Sequence, residues 1–261
     1  MIVLFTDFGV RGPYVGQVKA VLSRDAPGVP VVDLLADAPA HDPKPAAYLL
    51  AALVGEFPAG SVFFAVVDPG VGGARLPGVL AAGGRWYVGP ENGLFELILR
   101  RAESAPGGDR PRWWEIVWRP NRLSATFHGR DLFAPVAARI ARGERPADGP
   151  DFREAPVTRI RHLEWPDDLA EVIYIDDFGN AMTGLRADTV ADNSEISVSG
   201  RVIRQAEKYT DLPTDKAFWY ENSNGLVEIA VNRGRADAAL ELRPGSQVFV
   251  RPGSQVLVRK V

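Results

Sequence analysis

Phe63–Arg75 reads FFAVVDPGVGGAR: an apolar run that ends at Asp68, then a loop with one proline and three glycines that closes on Arg75. A short continuous apolar run bounded by turn residues is the pattern of a strand buried on both faces, as in a parallel sheet. Glycines in the following loop permit φ > 0 and the close approach of a ligand. A strand that delivers a carboxylate into such a loop, with a guanidinium shortly after, marks a candidate site. Taken alone, Asp68 and Arg75 read equally well as an ion pair bracing the loop.

Working outward, the first half alternates apolar runs with helical periodicity. Strands are expected at Ile2–Phe5, Val31–Leu34, Val62–Val67 and Trp113–Trp118, with a hairpin of Val79–Ala82 and Trp86–Val88 around Gly83-Gly84. Helices are expected at Tyr14–Asp25, from Asp42-Pro43 to about Phe57, at Glu91–Arg101, and at Asp131–Arg142 with Asp131 as N-cap. Such alternation predicts an α/β domain with a largely parallel sheet over residues 1–145. Residues 146–168 are rich in proline and charge and read as a linker. From 169 to 261 short alternating runs at Glu171–Ile175, Glu195–Ile203, Leu226–Val231, Gln247–Val250 and Gln255–Val258 predict a smaller antiparallel β-barrel domain. The tail repeats itself, RPGSQVFV at Arg243–Val250 and RPGSQVLV at Arg251–Val258, which reads as two successive strands after Pro-Gly turns.

Composition narrows the function. The chain has 261 residues, 46% hydrophobic, which suffices for a substantial core. A formal net charge of −3 argues against a nucleic-acid surface. The absence of cysteine excludes disulfides, thiol catalysis and thiolate-held metals. No apolar run approaches the ~20 residues of a membrane span, and MIVLFTDFG lacks a basic n-region, so a cytoplasmic protein is expected. Dinucleotide, P-loop, zincin and nucleophile-elbow motifs are all missing, and the three histidines, His41, His128 and His162, show no zinc spacing.

What remains are polar, glycine-bearing segments at or near the ends of apolar runs: Thr6–Gly9, Asp68–Arg75, Pro90–Gly93, Thr126–Asp131 and Asp176–Asn180. In parallel α/β sheets ligands bind beyond the carboxyl ends of the strands, where Asp7 and Asp68 fall. Asp7 also reads as a cap for the helix after Gly12-Pro13. His128 stands outside any apolar stripe, beside Gly129-Arg130-Asp131, and its side chain titrates near neutrality. Asn222–Gly225 reads as a turn; Trp219, Tyr220 and Phe178 read either as core or as stacking faces for a flat ring.

Taken in order, TDFG with YVGQVKAV, VFFAVVDPGVGGAR, GPENGL, TFHGRDLFAPVAA, IDDFGN and NSNGLVEIAVN resemble the S-adenosyl-L-methionine hydroxide adenosyltransferase family, the hydrolase relative of the fluorinase and chlorinase enzymes. The resemblance spans nearly the whole chain. It implies an N-terminal α/β domain, a C-terminal β-barrel, and a homotrimer with substrate held between one subunit's N-domain and its neighbour's C-domain. It implies attack of water or hydroxide at C5′ of S-adenosyl-L-methionine, giving adenosine and L-methionine, with no further cofactor and no metal. The family's catalytic set falls on Asp68, Arg75 and His128, and its ribose-binding aspartate on Asp7. Adenine and methionine contacts fall on Phe178, Asn180 and Ser223, with Asp176 near the amino-acid end. On this reading Arg75 favours a developing hydroxide and His128 accepts the water's proton.

The halogenating relatives carry tyrosine where Asp68 stands and serine where Gly129 stands, so water is the expected nucleophile here. The chain departs from the family at Gly12, where an acid is usual, and has His41 where the halogenases have a ring-stacking tryptophan. Two other readings are a metal-dependent phosphoesterase using Asp7, Asp68 and His128, and a non-catalytic sensor of adenosine or S-adenosyl-L-methionine.

Overall fold

The computed structural model describes residues 1–191 and 194–251, so the expected strand Gln255–Val258 and the second copy of the tail repeat lie outside the described residues. Two compact units divide the chain, Met1–Trp165 and Pro166–Val261.

The first unit is built on a seven-stranded sheet of order β2-β1-β3-β5-β4-β6-β7. The strands are β1 (Ile2–Thr6), β2 (Val31–Leu35), β3 (Val62–Val66), β4 (Pro77–Ala82), β5 (Arg85–Pro90), β6 (Arg112–Ile116) and β7 (Phe152–Ala155). β2, β1, β3 and β5 run parallel, whereas β4, β6 and β7 add antiparallel neighbours. The hairpin expected at Gly83-Gly84 joins β4 and β5. Both faces of the sheet are covered, which explains why β1 and β3 are buried at every position and apolar at all but Thr6. On one face Ile2, Leu4, Phe64 and Val66 pack with Val18 and Leu22 of α1 (Tyr14–Asp25) and Val136 and Ile140 of α4 (Ala134–Ala141). On the other, Phe63 stacks on Tyr87, which meets Phe95 at the head of α3 (Glu96–Ser104). α2 (Pro43–Leu53) packs against α3 and is capped as expected, Asp42 accepting the Lys44 N–H at 3.1 Å.

Several elements differ from the expectation. The stretch read as a linker contains β7, paired to β6 and therefore part of the sheet. Its last residues are tied down by Glu96, a fully buried carboxylate that accepts from Arg100 at 2.6 Å, Arg161 at 3.2 Å and the His162 backbone N–H at 2.8 Å. α3 begins at Glu96 rather than Glu91, because Asn92 spends its side chain on Val67 O and on the Leu94 N–H in a turn. Asp131 is not an N-cap: it lies inside a π-helical turn, Gly129–Phe133, that precedes α4. Its carboxylate pairs with Arg130 and accepts the Ser124 N–H at 2.8 Å.

The second unit is a seven-stranded, almost wholly antiparallel sheet of order β14-β10-β11-β12-β13-β9-β8. Its strands are β8 (Leu169–Ile175), β9 (Ala181–Arg186), β10 (Glu195–Val198), β11 (Arg201–Gln205), β12 (Ala217–Glu221), β13 (Leu226–Val231) and β14 (Val248–Arg251). The run Glu195–Ile203 is thus two strands, folded at Ser199-Gly200, where both residues have positive φ. Backbone bonds from Val172 N to Ser246 O and from Gly245 N to Val172 O bring the ends together into a nearly closed barrel. Trp219 is core, 1% exposed, with its indole N–H on Ser194 O. Among the described residues no helix is long and apolar enough to cross a membrane.

Candidate active site

β1 and β3 are adjacent and parallel, with Thr6 opposite Val66, so the chain leaves both strands at one edge of the sheet. β1's other neighbour is β2, so the strand order reverses between β1 and β3 and opens a crevice there. Asp7 and Asp68 enter that crevice. They line a cavity of about 400 Å³ with Phe8, Tyr14, His41, Val66, Val71 and the Thr126–Gly129 segment.

The Asp68 loop and the His128 segment meet through a glycine. Gly72 has φ +76°, and a Cβ there would collide with the Ala125 carbonyl, so the two backbones touch where no other residue fits. This contact carries His128 to Arg75. The Arg75 Nε lies 3.0 Å from each Asp68 carboxylate oxygen and its Nη2 lies 2.5 Å from Oδ2. The pair is almost sequestered, with side-chain exposures of 10% and 5%. Nη2 also sits 2.9 Å from His128 Nδ1. Asp68, Arg75 and His128 therefore form one connected network, and the Phe133 ring lies 5.3 Å from the guanidinium.

The network has a direction. A guanidinium only donates, so Nδ1 of His128 must present a lone pair, and the neutral ring then carries its proton on Nε2. Burial, and after it the Arg75 charge, push the His128 pKa below its ordinary value; the Asp68 charge opposes this. Neutral imidazole with an Nε2–H donor is the form this environment selects.

Asp7 does not cap α1. Its Oδ2 accepts the backbone N–H of His41 at 3.0 Å, holding the loop before α2 at the mouth of the cavity. His41 adopts φ +59°, and its side chain is 84% exposed. Gly129 packs against aromatic rings: an added Cβ would lie 2.8 Å from Phe8 Cζ and 3.3 Å from Phe127 Cε2. Phe8 and Phe127 meet edge to face at 5.6 Å, and Tyr14 meets Phe127 at 5.2 Å. None of these rings was given a role in the sequence reading, although Phe8 and Phe127 lie in segments that it marked and Tyr14 opens its first helix.

Asp176, Phe178, Asn180 and Ser223 line a separate cavity of about 810 Å³ in the second unit, with Tyr209, Tyr220 and Glu228 among the other walls. Asp176 shapes its own turn, accepting the Asn180 backbone N–H at 2.8 Å and the Asn180 amide at 3.1 Å. Phe178 projects from that turn with 78% of its surface exposed. The candidate residues thus fall into two groups, one in each unit. Among the described residues, no three His, Asp or Glu side chains converge in a way that would hold a metal ion; Asp7, Asp68 and His128 share a cavity without forming such a cluster.

Comparison with known proteins agrees with this layout. Residues 2–149 match the SAM hydroxide adenosyltransferase N-terminal domain and residues 170–249 the SAM hydroxide adenosyltransferase C-terminal domain. An (R)-S-adenosyl-L-methionine hydrolase of Thermus thermophilus is 44% identical, the match covering 93% of this chain and 96% of the relative. A protein of the same name from Salinispora arenicola is 39% identical over 94% and 95% of the two chains. Among solved structures, an uncharacterized conserved protein from Thermotoga maritima superposes with a TM-score of 0.78 at 28% identity, covering 96% of this chain and all of the other (100%). A conserved hypothetical protein from Thermus thermophilus gives 0.74 at 37% identity, over 96% and 99%. The chain belongs to the SAM hydroxide adenosyltransferase family.

Proposed function

We propose that this chain hydrolyses S-adenosyl-L-methionine to adenosine and L-methionine; its relatives are named (R)-S-adenosyl-L-methionine hydrolases. The observation that carries the reading is the Asp68–Arg75–His128 network at the wall of the cavity that also holds Asp7. The water oxygen bonds to C5′ while the C5′–S bond breaks, its electron pair passing to sulfur and leaving a neutral thioether. A sulfonium needs no protonation to depart, so the protein's task is to hold and deprotonate the water. Asp68 is the proton acceptor, using Oδ1, which carries the lighter hydrogen-bond load. His128 orients the water through its Nε2–H. Arg75 holds both and opposes protonation of the ring. The base expected at His128 is therefore assigned to Asp68, because Arg75 occupies the only basic nitrogen of the neutral ring.

Asp7 is assigned to the ribose, and Phe178, Asn180 and Ser223 to the adenine and methionine portions, with Asp176 near the amino-acid end. The same proposal includes a homotrimer whose neighbouring subunits bind the substrate jointly, a preference for the (R)-epimer, no cofactor or metal, and a cytoplasmic location. Light scattering, epimer-resolved substrate, chelation and cell fractionation test these in turn. The central test is incubation of the protein with S-adenosyl-L-methionine, with and without chloride, and chromatography of the products. Adenosine and methionine in equal amounts are expected; 5′-chloroadenosine, or no turnover, overturns the reading.

A further inference from the structure

Glu228 interrupts β13, LVEIAV, at a position 3% exposed, opposite Tyr220 of β12 and Met182 of β9. It forms part of the wall of the C-terminal cavity. Among the described residues no Lys, Arg or His forms an ion pair with its carboxylate. Each oxygen instead accepts one short bond from a neutral donor, Oε1 from the Tyr220 hydroxyl at 2.6 Å and Oε2 from the Asn222 amide at 2.6 Å. Because Tyr220 donates to Glu228, its oxygen is left to accept from Tyr209, 3.2 Å away. Asn222 is itself buried, and its Oδ1 accepts the backbone N–H groups of Asn224 at 2.9 Å and Leu226 at 3.0 Å. The chain of bonds runs from Glu228 through Asn222 to the turn that presents Ser223. A buried carboxylate without a cation is costly to the fold, while hydrogen bonds to an ionised acceptor are roughly twice as strong as neutral ones.

We propose that Glu228 is a positioning residue for substrate binding: as a carboxylate it locks Asn222, and through it the Asn222–Gly225 turn, in the conformation that receives the substrate. This rests on the function proposed above and gives a role to a residue that lies within the NSNGLVEIAVN motif without one. The lock depends on charge. Burial favours the neutral acid, the hydrogen bonds from Tyr220 and Asn222 oppose it, and the negative charge of Asp176 from the end of β8 adds to the effect of burial. The other titratable or charged groups on this cavity are Tyr209, Tyr220, Arg233 and Arg235, the last held by Asp237 at 2.8 Å. In the neutral acid the carbonyl still accepts from Asn222, without the charge that strengthens the bond. Glutamine reproduces that state, its oxygen facing Asn222 and its amide donating to Tyr220, so Glu228→Gln is a folded mimic of protonation.

The test is steady-state hydrolysis of S-adenosyl-L-methionine between pH 5 and 9 by the wild type and Glu228→Gln, with melting curves for both. The wild-type KM should rise as pH falls and approach that of the variant. The Glu228→Gln KM should be about tenfold above the wild type at pH 8 and flat with pH, with kcat within about twofold. A role confined to stability would lower the melting temperature and leave KM and its pH profile untouched, and that result overturns the inference. So does a loss confined to kcat. Should the variant fail to fold, the wild-type profile decides alone: a KM flat from pH 5 to 9 overturns the lock. A wild type that produces no adenosine refutes the function itself, an outcome distinct from either.

Discussion

Replacing Arg75 with methionine removes one partner of a nearly sequestered ion pair while keeping an apolar side chain beside the Phe133 ring. Asp68, 5% exposed, loses every hydrogen bond that Arg75 makes to it and is left as a buried, uncompensated charge. Breaking such a pair from one side costs about 3–5 kcal/mol. For a unit of this size each kcal/mol lowers the melting temperature by about 2–4 °C, so a drop of roughly 6–20 °C is expected. Adding Asp68→Asn removes the stranded charge, and the double variant should recover most of that loss, remaining about 1–2 kcal/mol below the wild type because the neutral amide lacks its donors. Both variants should lose at least about 100-fold in kcat, since each disables the assigned base or its support. Calorimetry on the two single variants and the double variant measures the coupling. A shift below 3 °C in Arg75→Met, or no recovery on adding Asp68→Asn, would refute the claim that these charges depend on each other.

The His128 ring must be neutral to act as assigned, so kcat/KM should rise with pH through a midpoint below about 6.5 and stay level above it. His128→Asn should abolish that acid limb and at least about 100-fold of kcat. The same ring bears on stability. The unfolded imidazole binds its proton more readily than the folded one, so it weakens the fold at low pH, and the penalty fades as pH rises through the unfolded value; acid melts of His128→Asn should be less pH-sensitive than those of the wild type. Gly129→Ser would place a Cβ 2.8 Å from Phe8 and should cost about 1–3 kcal/mol, partly restored by Phe8→Leu, as read from melting temperatures. Phe178→Ala should leave stability within about 0.5 kcal/mol, since the ring is 78% exposed, yet raise KM by the equivalent of about 1–3 kcal/mol if the ring stacks on adenine; an unchanged KM would remove Phe178 from the site.

Much of the first unit was legible because its strands are buried on both faces and its helices carry strong stop signals. β1, β3, α1 and the β4–β5 hairpin follow from apolar runs, periodicity and Gly83-Gly84. β7 was hidden because FREA has too few apolar residues to stand out; only its pairing with β6 makes it a strand. Asp131 misled because an acid before an apolar helical run has the chemistry of a cap, whereas its carboxylate is engaged by Arg130 and by Ser124, seven residues back. At the site, Asp68 and Arg75 could be paired from spacing, but the direction of the Arg75–His128 bond could not, since it depends on Gly72 bringing distant backbone into contact. Glu228 lay within the NSNGLVEIAVN motif but drew no role for a different reason: one acid in an apolar strand has no local signature until Tyr220 and Asn222 are seen on its two oxygens.

The crowding at Gly129 also bears on how such a protein can change over generations. A side chain at 129 meets Phe8, and Phe8 in turn leans on Phe64 and Phe127, so a new group enters there at a cost in stability unless a neighbouring ring yields. Trimming Phe8 first opens a void that confers nothing by itself. Any route to a side chain at 129 therefore passes through a less stable form, whichever of the two residues changes first. The bare backbone at 129 thus acts as a ratchet, set by the rings around it, against acquiring a side chain there.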